Sequence, residues 1–297
     1  MSLGFEQAGF HVVLANEYDN EIATAYRQNH HETKMVVGDI TALDLENTFG
    51  TFAGKIDVII GGPPCQGFSQ KGQRKTIHDE RNFLFKYYVK VVDLVRPRYF
   101  VMENVPNLLT AENGYFQKEI IDLFNGMGYS LNTGVLNAAD YGVPQNRRRA
   151  VIIGKRDGKA PALPIKTEQR VTIWDAIGDL AYLKSGEGQE EQQYADLPAS
   201  DYAKSLRGNM CVLHNHVATK HSKLALERLA LIPPNCGKEV LPDEHLTKSI
   251  YSGTWSRMIK DDISVTITTR FDTPSSGRFT HPYLDLSLIH ISEPTRR

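Results

Sequence analysis

Apolar runs and amphipathic segments alternate along the first half of the chain, and this alternation limits the possible fold more than any other feature. Runs typical of strands lie at His11–Ala15, Met35–Ile40, Ile56–Ile60, Tyr99–Val105 and Ala150–Gly154. Patterns typical of helices lie at Asp19–His30, Asn82–Val95 and Phe116–Gly128, and Asp19 is the predicted N-cap of the first. Continuous apolar strands that alternate with helices predict an α/β fold, with a doubly wound, mostly parallel sheet covered on both faces.

The second half of the chain has a different character, which predicts a second, smaller domain of mixed structure. A linker-like stretch begins at Lys159, and the polar segment Ser185–Lys204 is predicted to be a mobile loop. A helix is expected at Lys223–Ile232 and a short strand at Ser264–Arg270. We therefore expect domains over residues 1–160 and 161–285, followed by a non-native tail over 286–297.

The composition indicates a protein of a reducing compartment. The 297 residues are 41% hydrophobic and 23% charged, which is enough for one large core and a smaller lobe. The apolar runs are far shorter than the roughly 20 residues of a membrane-spanning helix, and the N-terminus has no signal-peptide pattern. Three cysteines do not make a disulfide framework, so a cytoplasmic location is expected.

Chemically useful side chains follow four of the predicted strands. In a parallel sheet, ligands bind beyond the carboxyl ends of the strands. The residues expected at those ends are Glu17, Asp39, Cys65 and Glu103. The pattern therefore predicts a site at one edge of the sheet that contains one thiol and three carboxylates.

The thiol lies in a stretch that suits a nucleophile. The sequence GGPPCQGFS places two glycines and two prolines directly before Cys65, which favours a rigid, accessible thiol over a buried structural one. A thiolate beside a carboxylic acid suits attack on an electron-poor ring, and cytosine is the natural candidate. Cys65 would add to C6 and Glu103 would protonate N3, so that C5 becomes a carbon nucleophile able to take a methyl group. Without the nearby thiol motif, Glu103 would be interpreted as a surface acid at the end of a strand.

Basic stretches flank these residues, although the formal net charge is only −1. The segment Gln145–Lys159 holds six lysines and arginines and one aspartate. Within it, Arg147 and Arg149 can fix a ring carbonyl and a phosphate. The segment Ser69–Arg81 is expected to close over a substrate. The residues of that segment predicted to contact nucleic acid are Ser69, Lys71, Arg74, Lys75 and Arg81.

Three motifs in order, GGPPCQGFS, MENV and QNRRR, with ANEYD and GDI in support, resemble the cytosine-C5 DNA methyltransferases. The resemblance covers Leu3–Gly154, and Val265–Pro282 is similar to the end of that family's target recognition region. It implies a Rossmann-like catalytic domain, Cys65 as the nucleophile, Glu103 as the acid, and Arg147 and Arg149 on the base.

The same resemblance implies S-adenosylmethionine as the methyl donor and no metal. It places Glu17 on the donor's ribose, with Tyr18 nearby. It places Asp39 and Ile40 by the adenine, and Pro64 and Leu84 in the pocket wall. The implied partner is duplex DNA, whose target base the family flips out of the helix. A monomer is expected, and a cognate restriction endonuclease is a possible functional partner.

The chain also departs from the family pattern at both ends. The family begins with a strand that ends in an Asp-Leu-Phe, glycine-rich loop, whereas this chain starts just after it. A C-terminal block that completes the donor site is not matched either. We therefore expect a fragment that lacks the central strand of the sheet.

Other readings of the residues stay open. An RNA cytosine-C5 methyltransferase, acting on transfer RNA, would use the same thiol and acid. A nucleic-acid-binding module without catalysis is a third alternative. Such a module would be expected to lack the thiol or the acid, whereas this chain has both. A zinc site is disfavoured, because its candidate ligands lack a second close pair and are therefore expected to be structural or surface residues: Cys211, His214, His216, His221 and Cys236.

Overall fold

The computed structural model describes residues 1–64, 83–194, 196–247 and 253–287. The chain divides into two compact units. The first comprises Met1–Leu136 and Arg148–Ile165, and the second comprises Asn137–Arg147 and Lys166–Arg297. The sequence pattern set the boundary after residue 160 and did not show that Asn137–Arg147 belongs to the second unit. The roles of the two domains stay predictions.

The elements of the first unit alternate as the sequence pattern predicts. Its helices are α1 Ser2–Gln7, α2 Asn20–Asn29, α3 Leu45–Phe49, α4 Phe83–Val95, α5 Asn107–Thr110 and α6 Tyr115–Gly126. Its strands are β1 Leu14–Glu17, β2 Lys34–Val37, β3 Val58–Gly61, β4 Tyr99–Asn104, β5 Tyr129–Asn137 and β6 Arg148–Arg156. Short 3-10 turns lie at Gly50–Phe52 and Ala111–Gly114.

Local signals fix where the predicted helices begin and end. The Asp19 carboxylate accepts hydrogen bonds from the backbone N–H groups of Glu21 and Ile22, so it caps α2 as predicted. Gly128 follows α6 with a φ of +83°, the left-handed conformation that glycine adopts without strain. Helix α4 ends at Val95, two residues before Pro97.

The strands form an α/β fold, as predicted, but in two separate sheets. Strands β1 and β2 pair in parallel, with Glu17 opposite Val37. The other sheet has the order β3-β4-β6-β5, in which β3 and β4 are parallel and β4 and β6 are antiparallel. Strand β5 was not predicted from the sequence. Its residues are mostly half-buried and alternate irregularly between apolar and polar types.

The two sheets share a helical layer and a cavity. Leu14 of β1 and Ile59 of β3 both pack against a buried cluster formed by Phe49, Val91 and Val95. Residues of both strands also line one cavity of about 930 Å³. Within the described residues, β1 pairs with β2 alone and β3 pairs with β4 alone. Both strands therefore keep one edge without a strand partner in the described part of the chain.

An aromatic core holds the four-stranded sheet to α4 and α6. Phe100 on β4 is fully buried, and its ring centroid lies 4.3 Å from that of Phe124 and 5.4 Å from that of Tyr129. The Tyr129 hydroxyl donates to the Pro97 carbonyl, so its polar end is satisfied inside the core. Burial raises the pKa of Tyr129, which is consistent with this role.

The second unit has short elements around two apolar clusters. Its helices are α7 Ile173–Ile177, α8 Asp201–Arg207 and α9 Lys223–Ala230, and its strands are β7 Gly188–Gln193 and β8 Val212–Val217. Further 3-10 turns lie at Ala138–Tyr141, Lys238–Val240, Asp243–His245 and Pro274–Ser276. One cluster contains Ile173, Met258 and Phe279, and the other contains Leu229 and Trp255.

Two sequence-based predictions in this unit are wrong. The segment Ser185–Lys204, expected to be a mobile loop, contains β7 and the start of α8. Strand β7 forms because its backbone pairs with β8, which does not require apolar side chains of its own. Conversely, Ser264–Arg270 is not a regular strand, since only Ser264 forms a bridge, to Gln145.

The structure also bears on the predicted tail. Leu286 and Ser287, its first two residues, are each only 2% exposed. The Leu286 carbonyl accepts from the His281 N–H, and the Ser287 hydroxyl donates to the Asp272 carbonyl. These two residues are therefore part of the folded second unit. Residues 288–297 lie outside the described part of the chain.

In the described part of the chain, no helix is both long enough and apolar enough to cross a membrane.

Candidate active site

The predicted acid lies at the end of β4 and is held by an arginine of β6. An Oε1 atom of Glu103 lies 2.7 Å from Nε of Arg149, and the two side chains are 33% and 25% exposed. The antiparallel register places Glu103 opposite Val151, two residues beyond Arg149, so the two side chains extend from the same face of neighbouring strands. The structure thus brings together two of the four residues predicted to be catalytic.

Close neighbours explain the two glycines at the end of β3, Gly61 as its last residue and Gly62 directly after it. A Cβ atom on Gly61 would lie 2.6 Å from the ring of Tyr88, which is buried and donates to the Val101 carbonyl. A Cβ atom on Gly62 would lie 3.3 Å from Oε2 of Glu103. Gly61 therefore makes room for the core, and Gly62 lets the backbone approach the acid.

The segment after Gly62 is fixed from the buried side by an asparagine. The Asn104 side chain is 6% exposed, and its Nδ2 donates to the Pro63 carbonyl over 2.8 Å. Its Oδ1 accepts from the Val105 N–H over 2.9 Å. Pro63 is buried, whereas Gly62 and Pro64 are exposed. The backbone that leads to Cys65 is therefore anchored to the end of β4.

Five of the six residues predicted to bind the donor line one cavity. Its volume is about 930 Å³, and among its lining residues are Glu17, Tyr18, Ile40, Pro64 and Leu84. Gly62 and Pro63 also line it, so the segment that touches Glu103 forms part of its wall. Cavities of roughly 300–1,000 Å³ hold ligands of nucleoside size.

Asp39 is the predicted donor residue that does not line this cavity. Its carboxylate accepts from the Thr41 N–H over 2.9 Å. This backbone hydrogen bond, helped by one from the Thr41 side chain, lowers the pKa of Asp39. In this structure Asp39 serves a turn, and only its neighbour Ile40 reaches the cavity.

The remaining predicted site residues lie in two other places. Arg147 belongs to the second unit, where its carbonyl accepts from the Ala138 N–H and its own N–H donates to the Gln145 carbonyl. The nucleophile Cys65 lies outside the described residues, as do the residues predicted to contact nucleic acid: Ser69, Lys71, Arg74, Lys75 and Arg81.

Sequence reasoning missed the residues that position the site. Asn104 directly follows Glu103, and its signal was a polar amide at the end of an otherwise apolar strand. Tyr88 lies within the predicted helix Asn82–Val95, but its contact with Gly61 was not predictable from the sequence. Both contacts join residues more than twelve positions apart in the chain.

Two of the five candidate zinc ligands, His216 and His221, take part in hydrogen bonds with the backbone. Nε2 of His216 lies 2.8 Å from the Ala181 carbonyl, and Nε2 of His221 accepts from the Ser287 N–H. Burial lowers the pKa of His221. Within the described ranges, no three side chains of the His, Cys, Asp and Glu types come together as a metal site would need.

Comparison with known proteins identifies the family. The family model for C-5 cytosine-specific DNA methylases matches residues 1–270. The chain belongs to the C-5 cytosine-specific DNA methylase family. The reaction of this family is the transfer of a methyl group from S-adenosylmethionine to C5 of cytosine, through a covalent adduct with the enzyme.

Two bacterial methyltransferases are similar to this chain in sequence. Type II methyltransferase M1.HphI of Haemophilus parahaemolyticus is 38% identical over 246 residues, which are 82% of this chain and 60% of the relative. Type II methyltransferase M.XorII of Xanthomonas oryzae pv. oryzae is 39% identical over 258 residues, which are 79% of this chain and 60% of the relative. The chain thus spans about three fifths of the length of these methylases.

A solved structure shares the fold. The crystal structure of an E. coli prophage protein, described as a DNA modification methyltransferase, superposes with a TM-score of 0.71. The superposed part covers 96% of this chain and 81% of the E. coli protein, at 24% sequence identity. At this identity the similarity supports the methylase fold alone.

Proposed function

We propose that this chain carries the machinery for C5 methylation of cytosine in duplex DNA. The observation that carries the proposal is the Glu103–Arg149 pair. It lies against Gly62, three residues before the cysteine of the GGPPCQGFS motif. Membership of the methylase family supports the reaction class. In this proposal the first unit is catalytic and the second contains the target recognition region.

The proposed reaction begins when the Cys65 thiolate adds to C6 of a flipped cytosine. As the S–C6 bond forms, the ring π electrons shift toward N3, which takes a proton from Glu103, and the resulting enamine has a nucleophilic C5. C5 then takes the methyl group that S-adenosylmethionine would supply, and the donor leaves as S-adenosylhomocysteine. Loss of the C5 proton to solvent expels the thiolate, the N3 proton returns to Glu103, and both Cys65 and Glu103 end in their starting states.

Arg149 has two proposed tasks at this site. Its Nε holds the Glu103 carboxylate at 2.7 Å, which fixes the orientation of the acid. The rest of the guanidinium is proposed to contact the ring carbonyl, with Arg147 on the base or a phosphate. Lys71, Arg74, Lys75 and Arg81, with Ser69, are proposed to contact the DNA backbone.

The donor is proposed to bind in the cavity lined by Glu17, Tyr18, Ile40, Pro64 and Leu84. The cavity fits a nucleoside: it has apolar walls, and a carboxylate lies at the carboxyl end of a strand to accept ribose hydroxyls. Asp39 is proposed to reach the adenine only if its hydrogen bond to Thr41 is released. Glu17 likewise accepts from the Asp19 N–H over 3.0 Å, but unlike Asp39 it lines the cavity. Glu17→Ala should therefore weaken S-adenosylmethionine binding more than Asp39→Ala, as measured by calorimetry.

The biological setting belongs to the same proposal. We infer a bacterial cytoplasmic enzyme that acts as a monomer on DNA and requires no metal, because two relatives at 38% and 39% identity are bacterial Type II methyltransferases. A cognate restriction endonuclease would be its functional partner. An RNA substrate is the alternative, and methylation of transfer RNA but not of duplex DNA would establish it.

The deciding experiment is an intact mass after incubation with S-adenosylmethionine and duplex DNA that carries 5-fluorocytosine. Fluorine cannot leave C5 as a proton does, so a working thiol stays trapped as an adduct. We expect an adduct with the natural chain and none with Cys65→Ser. A chain that binds this DNA but forms no adduct would contradict catalysis and support the non-catalytic module.

A further inference from the structure

Asn104, the last residue of β4, forms hydrogen bonds to the backbone through both the nitrogen and the oxygen of its side-chain amide. Asn104 donates from Nδ2 to the Pro63 carbonyl over 2.8 Å and accepts at Oδ1 from the Val105 N–H over 2.9 Å. It is 6% exposed, so water does not compete freely for either bond. A buried amide with both ends engaged holds its partners in one geometry.

This amide acts where the strand ladder stops. Strands β3 and β4 pair from Val58↔Tyr99 to Gly61↔Met102, and no residue pair of that ladder extends beyond Gly61. The next residues, Gly62 to Pro64, include two prolines, which have no N–H to donate. The Asn104 amide therefore continues the connection between the two strands by a side-chain contact at Pro63.

Glu103 and Asn104 contact the same segment from opposite faces of β4. Successive side chains of a strand point to opposite sides, and burial alternates along β4 so that Asn104 is on the buried side. Glu103, on the other side, lies with Oε2 within 3.3 Å of the position of a Cβ on Gly62. Two adjacent residues of β4 thus lie against two adjacent residues of the segment that leads to Cys65, and the hydrogen bond from Asn104 fixes one of them.

We propose that Asn104 is a positioning residue for methyl transfer, which sets the backbone before Cys65 at a fixed distance from Glu103. The inference rests on the proposed function, in which the thiol and the acid act on C6 and N3 of one ring. These atoms are close together, so the thiol and the acid must be placed with similar accuracy. A misplacement of about 1 Å can cost about 100-fold in rate.

The test compares Asn104→Asp with a matched control, Asn132→Asp. The first keeps the size and the acceptor for Val105 but places a carboxylate oxygen against the Pro63 carbonyl. Asn132 also donates from Nδ2 to a proline carbonyl, that of Pro161 at 3.0 Å, but in an exposed place. Asn104→Ala, which removes the donor without adding charge, replaces the first variant if Asn104→Asp does not fold.

Two readouts are needed. The first is the rate of adduct formation with 5-fluorocytosine DNA, alongside the DNA affinity. The second is hydrogen exchange measured by mass spectrometry, which does not depend on activity. It uses peptides over β4 and longer peptides that contain Gly61–Cys65, in which the N–H groups of Gly61, Gly62 and Cys65 report because Pro63 and Pro64 have none. We expect the Asn104 variant to react about 100-fold more slowly, with DNA affinity within about twofold, and to exchange faster only over Gly61–Cys65. Asn132→Asp should match the natural chain in both.

Each other outcome is decisive. A folded Asn104 variant that forms the adduct at the natural rate would overturn the inference and leave the proposed function intact. If the natural chain itself forms no adduct, the proposed function fails, and hydrogen exchange is then the readout that tests the positioning role of Asn104. In that case, faster exchange over Gly61–Cys65 supports the positioning role, and unchanged exchange refutes it.

Discussion

The carboxylate of Glu103 has two partners in the proposed mechanism, a guanidinium and a cytosine ring. The ion pair with Arg149 is partly exposed, so its contribution to stability is small, at most about 1 kcal/mol. The ion pair mainly orients the Glu103 side chain, because the bound arginine restricts the rotamers of the acid. Substitution of Glu103 should therefore affect chemistry far more than folding.

We expect Glu103→Gln to reduce methyl transfer by about 100-fold or more, because the amide cannot deliver the proton to N3. DNA affinity should stay nearly unchanged, since only the ring acid is removed. The measurement is single-turnover methyl transfer alongside fluorescence anisotropy with DNA. Glu119→Gln on α6, whose carboxylate accepts from the Tyr115 hydroxyl, is the control. Near-normal turnover of Glu103→Gln would remove the acid from the mechanism.

His281 is a second residue whose environment has a measurable consequence. It is 2% exposed, and its Nδ1 accepts from the N–H groups of Tyr283 and Leu284 over 3.1 Å and 2.9 Å. Burial, with the nearby Arg257 charge, lowers its pKa to about 4. The folded state therefore favours the neutral ring, while the unfolded chain takes up a proton near pH 6.5.

The free energy of unfolding should fall as the pH drops from about 6.5 to 4, because the unfolded state binds the extra proton in that window. The loss from His281 is on the order of 3 kcal/mol. His221, whose pKa burial also lowers, adds to it in the same direction. Urea unfolding at several pH values measures this. His281→Gln should flatten the dependence, and the same change at exposed His11 should not; equal slopes would refute the assignment.

At the scale of elements, the close fit of β6 on β4 depends on a glycine. Gly154 pairs with Phe100 across the antiparallel ladder. A Cβ atom there would lie 2.0 Å from Cε1 of Phe100, which is locked among Phe124, Tyr129 and Tyr88. No rotation of one ring can relieve that overlap without moving the others.

Gly154→Ala should therefore destabilise the protein by roughly 1–3 kcal/mol, the usual cost of overpacking. Gly126→Ala is the contrasting change, because Gly126 lies in α6 with nothing within 4 Å of the added atom. That substitution should stabilise by about 0.5–1 kcal/mol through helix propensity. Thermal unfolding of both variants tests the pair, and a Gly154→Ala protein as stable as the natural one would show that the core can repack.

Arg257 connects several elements of the second unit. Its side chain is 4% exposed and pairs with Asp285. Its guanidinium also donates to four carbonyls, those of Leu229, Ile232, His281 and Leu284. The end of α9 and the segment up to Asp285 are thus joined by one buried cation.

Arg257→Met should destabilise the second unit by about 3–5 kcal/mol, because it leaves several buried carbonyls and Asp285 without their donor. Arg170→Met should cost no more than about 1 kcal/mol, since Arg170 is 61% exposed and pairs with the exposed Asp262. Denaturant unfolding followed by the tryptophan signal compares them. Similar losses in the two variants would show that burial of Arg257 does not matter.

At the scale of the whole molecule, charge is nearly balanced but unevenly distributed. The net charge is −1, while the segment Gln70–Lys75 after Cys65 is locally basic. DNA binding by such a chain depends on a local electropositive surface and not on overall charge.

Neutralising Lys71, Arg74 and Lys75 together should weaken DNA binding and flatten its salt dependence. If each contacts a phosphate, the slope of log K against log salt should fall in magnitude by about 3. The same number of charges removed at Lys55, Lys90 and Lys118 is the control. Titrations at several salt concentrations measure the slope, and an unchanged slope in the triple variant would place the segment away from the DNA backbone.

The predictability of the fold follows the physical origin of each element. Helices α2, α4 and α6 were predictable because their capping residues and apolar periodicity are local. Strand β7 was not, because its polar sequence gains a partner only through β8. The prediction for residues 264–270 was wrong in the opposite way. Their β-branched residues suit a strand, but only Ser264 forms a β-bridge.

The sequence by itself determined the family and the α/β alternation, because these depend on residue type, order and local periodicity. It also singled out Cys65 as the thiol and Glu103 as the acid, whose roles stay predictions. The family resemblance read from the sequence also predicted six donor residues, five of which line one cavity. Only the tertiary structure decided that Arg149 pairs with Glu103, that Asp39 is engaged by Thr41, and that Asn104 anchors Pro63. These are contacts of side-chain geometry, and except at Asp39 they join residues distant in the chain, which no local pattern encodes.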